Sequence, residues 1–210
     1  MPKLHFYISL RKDRIYVLRD FLSILRVFKK KSFIKLIREY YPGFKSNDLT
    51  EFVHFWNENN HTVQEKLKKS CEEIVREWRK KEEDFFKKTE ENFGKWKRKK
   101  YFCHLSSTYV CGGGYKYPTV IVFPFSIHVD PIESIRHELL HLHLVEDVER
   151  LKLKPKNYYK FSEIAVAFAS RQIGIKVNFP NDDMRKYFKK IKTMKAETWE
   201  NLIRFLSRKI

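Results

Sequence analysis

The chain has 210 residues, of which 42% are hydrophobic and 33% charged, the composition of a globular protein of one substantial domain rather than a disordered or fibrous chain. Its 44 Lys and Arg outnumber 26 Asp and Glu to leave +18, an excess present in both halves, that favours contact with nucleic acid, an anionic surface or acidic partners. The longest stretches free of Lys, Arg, Asp and Glu, Tyr101–Tyr115 and Tyr117–Val129, hold 15 and 13 residues. Both fall short of the ~20 apolar residues a membrane-spanning helix needs.

The first apolar run, Leu4 to Leu10, is followed at once by Arg11, Lys12, Asp13 and Arg14 and by no small-residue cleavage site, which is not the pattern of a signal peptide. Three cysteines do not make a secreted disulfide framework, although Cys103 and Cys111 can face each other across a hairpin. A cytoplasmic, soluble protein is the expectation. Abundant Lys, Glu, Phe, Tyr and Ile beside only Gln64 and Gln172 resembles a heat-adapted composition.

In chain order, residues 1–60 read as a helical N-terminal extension. Val17, Phe21, Leu25, Phe28, Ile34 and Ile37 recur at helical spacing, and Pro42-Gly43 ends the run. Two further helix starts follow, Asp48-Leu-Thr-Glu51 and Thr62-Val-Gln-Glu65, each a capping residue with Glu three positions on. The second opens a long amphipathic helix to about Phe93, with Val63, Leu67, Cys71, Ile74, Trp78 and Phe85 on one face and a solvated Lys/Glu face opposite. From Tyr101 the pattern turns to strands: 101–111, a turn at Gly112-Gly113-Gly114, and a β-rich run from Pro118 to Phe125. Prolines near both ends of that run suit an edge strand. The three glycines lack the spacing of a nucleotide loop. Asp130-Pro131-Ile132-Glu133 predicts a well-capped helix to about Leu151. Pro155 breaks it, a helix over Tyr158–Ile173 follows, and shorter helices near 182–192 and 196–208 finish the chain. Residues 61–210 thus form the second unit, α+β in class, a small mixed or antiparallel sheet packed on helices.

Its chemistry is concentrated in His137-Glu138-Leu139-Leu140-His141. Histidines four apart lie one helical turn above each other, so both imidazoles reach one cation. Shuffling a chain of this composition produces about 0.03 such matches, and the motif falls inside a capped helix after a strand. The alternative is a pair of packed or exposed histidines on an ordinary helix. An open zinc site wants a third protein ligand. His143 is on the opposite helix face. Asp147 has the metzincin spacing, but Leu144 stands where the chain would need a Gly to leave the helix. Glu163, which opens the small and apolar stretch Ile164-Ala-Val-Ala-Phe-Ala169, is the preferred ligand, because an unpaired charge there is costly. Its bland alternative is an exposed first-turn carboxylate favoured by the helix dipole.

His-Glu-Leu-Leu-His with a Glu on the next helix, 22 residues after His141, behind a β-hairpin, resembles the gluzincin metallopeptidases, and the compact scale resembles the minigluzincins. The resemblance covers about residues 65–173 and implies a zincin-like fold, a small sheet packed on an active-site helix and a glutamate helix. It implies one Zn2+ per chain bound by His137, His141 and Glu163, with Glu138 as general base in hydrolysis of peptide or protein substrates. It also implies that the strand Thr119–Phe123 pairs with an extended substrate and that a His or Tyr stabilises the oxyanion. Tyr158, Tyr159, Tyr187 and Arg171 are the candidates for that role. The rival class is a basic nucleic-acid-associated protein with a structural metal or an inactive zincin fold. Lys29-Lys30-Lys31 and Lys95-Trp-Lys-Arg-Lys-Lys100 are its candidate phosphate contacts, against the commoner reading of a solvated face. Cys103, His104 and Cys111 fit no standard metal spacing. His5, His54, His61 and His128 read as surface or packing residues.

Overall fold

A computed structural model describes residues 1–9, 11–12, 43–46, 48–107, 113–124, 129–150, 152 and 155–175. The helices expected over 13–41, 182–192 and 196–208 lie outside the described residues. Those described form an α+β arrangement in which a four-stranded mixed sheet carries helices on one face. The strands are β1 (Lys3–Tyr7), β2 (Lys100–Leu105), β3 (Gly113–Lys116) and β4 (Thr119–Val122), in the order β1-β2-β4-β3. β1, β2 and β4 run parallel, and β3 is antiparallel to β4.

The helix α1 (Leu49–Phe93) has 45 residues and begins where Asp48 caps it, its carboxylate accepting from the amides of Thr50 at 2.7 Å and Glu51 at 3.0 Å. It ends at Gly94, whose φ of +88° suits a residue without Cβ. The second start expected at Thr62 lies inside this helix, so residue 60 marks no break. Asn and Thr in 57–62 are weak helix formers, but no Gly or Pro falls between Gly43 and Gly94 to stop the helix. The apolar stripe points inward as its spacing predicts: Leu67, Ile74, Trp78 and Phe85 are buried. Trp78, Phe85, Phe86, Trp96 and Tyr101 then pack ring against ring across the helix–sheet boundary.

Residues 3–7, read as part of a helical extension, instead form the edge strand β1. Leu4 is fully buried while Lys3 and His5 are exposed, the period-2 signature that so short a run hardly displays in sequence. α1 closes the outer side of this strand. The buried Glu82 carboxylate accepts the Leu4 amide at 2.8 Å and the Trp78 indole N–H at 3.0 Å, and Arg79, paired with Glu82, donates to the Leu4 carbonyl at 3.3 Å. The outward amide and carbonyl of Leu4, which an edge strand would otherwise leave unpaired, are thereby satisfied.

β4 is not an edge strand: β2 flanks it on one side and β3 on the other. Pro118 and Pro124 lie outside Thr119–Val122, so neither interrupts the ladder. Gly113 and Gly114 belong to β3, and the hairpin turns at Tyr117-Pro118.

Asp130 caps α2 (Pro131–Glu149) through the amides of Ile132 at 2.7 Å and Glu133 at 3.1 Å, with Pro131 at the first position, as its sequence predicts. Pro155 starts α3 (Pro155–Gln172) rather than only ending α2, and α3 packs along α2. α2 lies against β3 and β4. Ile135, Leu139, Leu140, Leu142 and Leu144 are buried around most of its circumference, so the helix bearing the two-histidine motif is a core element. Among the described residues no helix is long and apolar enough to cross a membrane.

Candidate metal centre

Helix periodicity puts His137 and His141 on one side of α2, and the reversal at Pro155 brings Glu163 of α3 to face them. Both imidazole Nε2 atoms turn to the same point, 3.1 Å from one another. The Glu163 carboxylate straddles them, with Oε2 3.3 Å from His137 Nε2 and Oε1 3.3 Å from His141 Nε2. Ligands about 2.0–2.1 Å from a tetrahedral cation stand roughly 3.3 Å apart, so the three donors hold the separations that a shared zinc-sized ion requires. These are also the only three His, Cys, Asp or Glu side chains grouped in this way among the described residues. Borderline imidazole and hard carboxylate donors are a set that zinc accepts.

The electrostatics express the same convergence. Burial would raise the Glu163 carboxyl, but the hydrogen bonds and positive character of His137 and His141 outweigh it and bring its pKa down to about 2. Burial lowers His141. For His137 burial acts the same way and is outweighed by the Glu163 hydrogen bond and by the carboxylates of Glu138 and Glu163, so that its pKa rises. One imidazole thus takes up positive charge more readily than the other, as expected of two rings competing for a proton beside one carboxylate. Glu138 is outside the donor group. Burial, with the Glu163 charge adding to it and His137 opposing, pushes its carboxyl up to about 7, where it can both accept and release a proton near neutrality. His137 is the most accessible of the four, with 25% of its side chain exposed, whereas Glu138, His141 and Glu163 are buried. Solvent therefore meets the centre on the His137 side.

Two residues not singled out in the sequence complete the surroundings. Ser162 Oγ lies 2.7 Å from His141 Nδ1 and orients that ring from behind. Tyr115 of β3 stacks on His141, with ring centroids 5.0 Å apart and planes 19° apart, and Ser162 and Tyr158 neighbour its hydroxyl. Burial, then the neighbouring Tyr158, pushes the Tyr115 phenol up to about 12, so it stays protonated. Ser162 could have been suspected from its place beside Glu163. Tyr115 carries no such signal, because its position depends on how β3 lies over α2.

The other candidates sort plainly. Tyr158 neighbours Tyr115, Tyr159 is 55% exposed, Arg171 is an exposed residue in the last turn of α3, and Tyr187 lies outside the described residues. His143 is on the far face of α2, its ring 4.3 Å from that of Trp96. Asp147 interacts with Arg150 at 3.4 Å and is not in the donor group. Cys103 is a buried free thiol whose pKa burial pushes up, His104 stacks on Tyr7 at 5.0 Å, and Cys111 lies outside the described residues. His54 and His61 are exposed on α1, His5 is exposed on β1, and His128 lies outside the described residues. Of the basic runs, Lys29–Lys31 is outside the described residues. In 95–100, Trp96 is a core residue donating to the Phe86 carbonyl at 3.1 Å, and Lys97 pairs with Glu146.

Comparison of the chain with protein-family models, with curated proteins and with solved structures found no match.

Proposed function

We propose that the chain is a zinc-dependent metallopeptidase with a compact, zincin-like fold of the gluzincin type, hydrolysing peptide bonds. The observation that carries this reading is the 3.1–3.3 Å mutual spacing of three donors on two helices, beside a buried carboxylate that is not one of them. Three protein donors leave a tetrahedral cation one open position, the arrangement of catalytic rather than structural zinc. This favours an enzyme over the rival reading of a nucleic-acid-associated protein with a structural metal.

His137, His141 and Glu163 would hold the ion, which would supply Lewis acidity, lowering the pKa of a water ligand to about 7 and polarising a carbonyl. Glu138 accepts the proton of the attacking water on its carboxylate and passes it to the leaving amine. Of the oxyanion candidates, Tyr158, which neighbours the Tyr115 stacked on His141, is the one we assign to the developing oxyanion. Of the two sheet edges, β1 has its Leu4 amide and carbonyl taken by Glu82 and Arg79. Among the described residues β3 has no strand partner on its outer side and packs near α2, so β3, rather than the interior Thr119–Phe123, takes the role of pairing an extended substrate.

The test has two arms. Purified protein reconstituted with zinc retains one ion per chain, and His137→Ala or His141→Ala loses it. Glu138→Gln keeps the zinc and lowers chelator-sensitive cleavage of denatured casein by about 10²–10⁴. Wild-type protein that stays metal-free, or cleavage undiminished by Glu138→Gln, overturns the reading.

A further inference from the structure

The sheet has a second face, turned away from α1, α2 and the metal centre. Strand register places its residues in rows. Lys3 and Lys100 stand side by side in the first row, and His5, Phe102, Thr119 and Lys116 cross all four strands in the second. The third row, Tyr7, His104, Ile121 and Gly114, is covered, with His104 0% and Ile121 6% exposed. The first two rows are open: Lys3, His5, Lys100 and Lys116 are exposed, and the Phe102 ring is 38% exposed with the His5 ring 5.9 Å away. Tyr117, 40% exposed in the turn after Lys116, lies under the Arg98 guanidinium at 5.0 Å and extends the same patch.

Two properties set this patch apart from an ordinary solvated lysine face. No acidic residue occupies any position of the three rows, and among the described residues no carboxylate pairs with Lys3, Lys100 or Lys116. On α1, by contrast, Lys80, Lys87 and Lys88 each have an acidic neighbour one turn away. The cations also surround an aromatic ring that is 38% exposed to solvent. Unpaired lysines attract phosphates, and an exposed ring on a sheet offers a base something to stack on; neither suffices alone, and together they are the elements of a single-strand platform.

We infer that this open sheet face binds single-stranded nucleic acid, with Lys3, Lys100 and Lys116 contacting phosphates and Phe102 stacking on a base. A duplex keeps its base faces hidden and can use only the lysines. The function is separate from the proposed hydrolysis, since the face and the metal centre lie on opposite sides of the sheet.

The experiment measures fluorescence anisotropy of a labelled oligothymidylate 20-mer with the full chain across a salt series starting at ~50 mM, where phosphate contacts are strongest. Wild-type protein binds, and the affinity falls steeply with salt. Lys3→Gln/Lys100→Gln/Lys116→Gln reduces the magnitude of the log–log salt slope by about 2, at roughly 0.7 per phosphate contact on a single strand. Phe102→Ala weakens binding about ten-fold with the slope unchanged, and Phe102→Leu, which keeps apolar cover on the strand, acts in the same direction. Retained zinc stoichiometry and circular dichroism confirm that each variant is folded. Lys66→Gln/Lys68→Gln/Lys69→Gln, which removes the same charge from the exposed side of α1, leaves binding near wild type. The inference is overturned by any of four results: no binding at the lowest salt, an equal loss in the α1 triple variant, affinity independent of the Phe102 ring, or association with phosphatidylserine vesicles in place of the oligonucleotide.

Discussion

Ser162 and Glu163 are neighbours on α3, and both serve His141: the carboxylate stands 3.3 Å from its Nε2, and the hydroxyl 2.7 Å from its Nδ1. In the tautomer whose Nδ1–H donates to Ser162, Nε2 keeps a lone pair toward the point that it shares with His137. Tyr115 lies beside Ser162 and stacks on the imidazole. An orienting bond of this kind is worth about 10–100-fold in metal affinity. Ser162→Ala should therefore weaken zinc binding by that factor and shift the visible absorption of the cobalt-substituted protein, which reports ligand geometry directly. Ser162→Thr, which keeps the hydroxyl, should restore both. Asp147→Ala, remote from the donors, should change neither. A Ser162→Ala protein with wild-type affinity and spectrum would remove the residue from the site.

At the scale of elements, the attachment of β1 to α1 is concentrated in one buried carboxylate. Glu82 satisfies the Leu4 amide and the Trp78 indole while neutralising Arg79, so it joins a strand near the chain start to a helix almost eighty residues later. Removing it leaves two buried donors without acceptors, each costing about 1–3 kcal/mol. Glu82→Ala should destabilise the protein by about 3 kcal/mol in denaturant unfolding, and amide exchange across Lys3–Tyr7 should accelerate. Glu77→Ala provides the contrast. Its ion pair with Lys80 is 2.6 Å long but 44% and 61% exposed, so solvent screens it and the denaturant midpoint should stay near that of the wild type. Equal effects of the two substitutions would mean that β1 is held by hydrophobic contact alone.

For the molecule as a whole, the His137–His141–Glu163 cluster joins α2 to α3 and lies beside β3. An ion held there would stabilise the folded state by mass action, about 4 kcal/mol at a free concentration a thousand times its dissociation constant. For a chain of this size that amounts to a melting shift of about 10 °C. Chelation should lower the melting temperature of the wild-type protein accordingly, and zinc should restore it. His137→Ala should melt at one temperature with or without chelator. A chelator response that persists in His137→Ala would place the stabilising ion elsewhere.

Local spacing determined much of the site before any fold was known. His137, Glu138 and His141 are bound together by the 3.6-residue turn of one helix, and the caps at Asp48 and Asp130 rest on side chains that bond their own next residues. Burial of α1's apolar stripe follows from the same periodicity. Glu163 was legible only as a costly charge in an apolar stretch; that it faces both histidines depends on the reversal at Pro155 and on how α3 lies along α2. Nothing local distinguished β4 as an interior strand, β1 as a strand at all, or Tyr115 and the row from His5 to Lys116 as shared surfaces. Strand order and register join residues up to about a hundred positions apart, and a run of four or five residues holds too few periods to declare its neighbours. Short-range backbone geometry thus wrote the two histidines and their carboxylate into the sequence, whereas the third donor, the ring stacked on His141 and the basic face exist only because the long-range packing closed as it did.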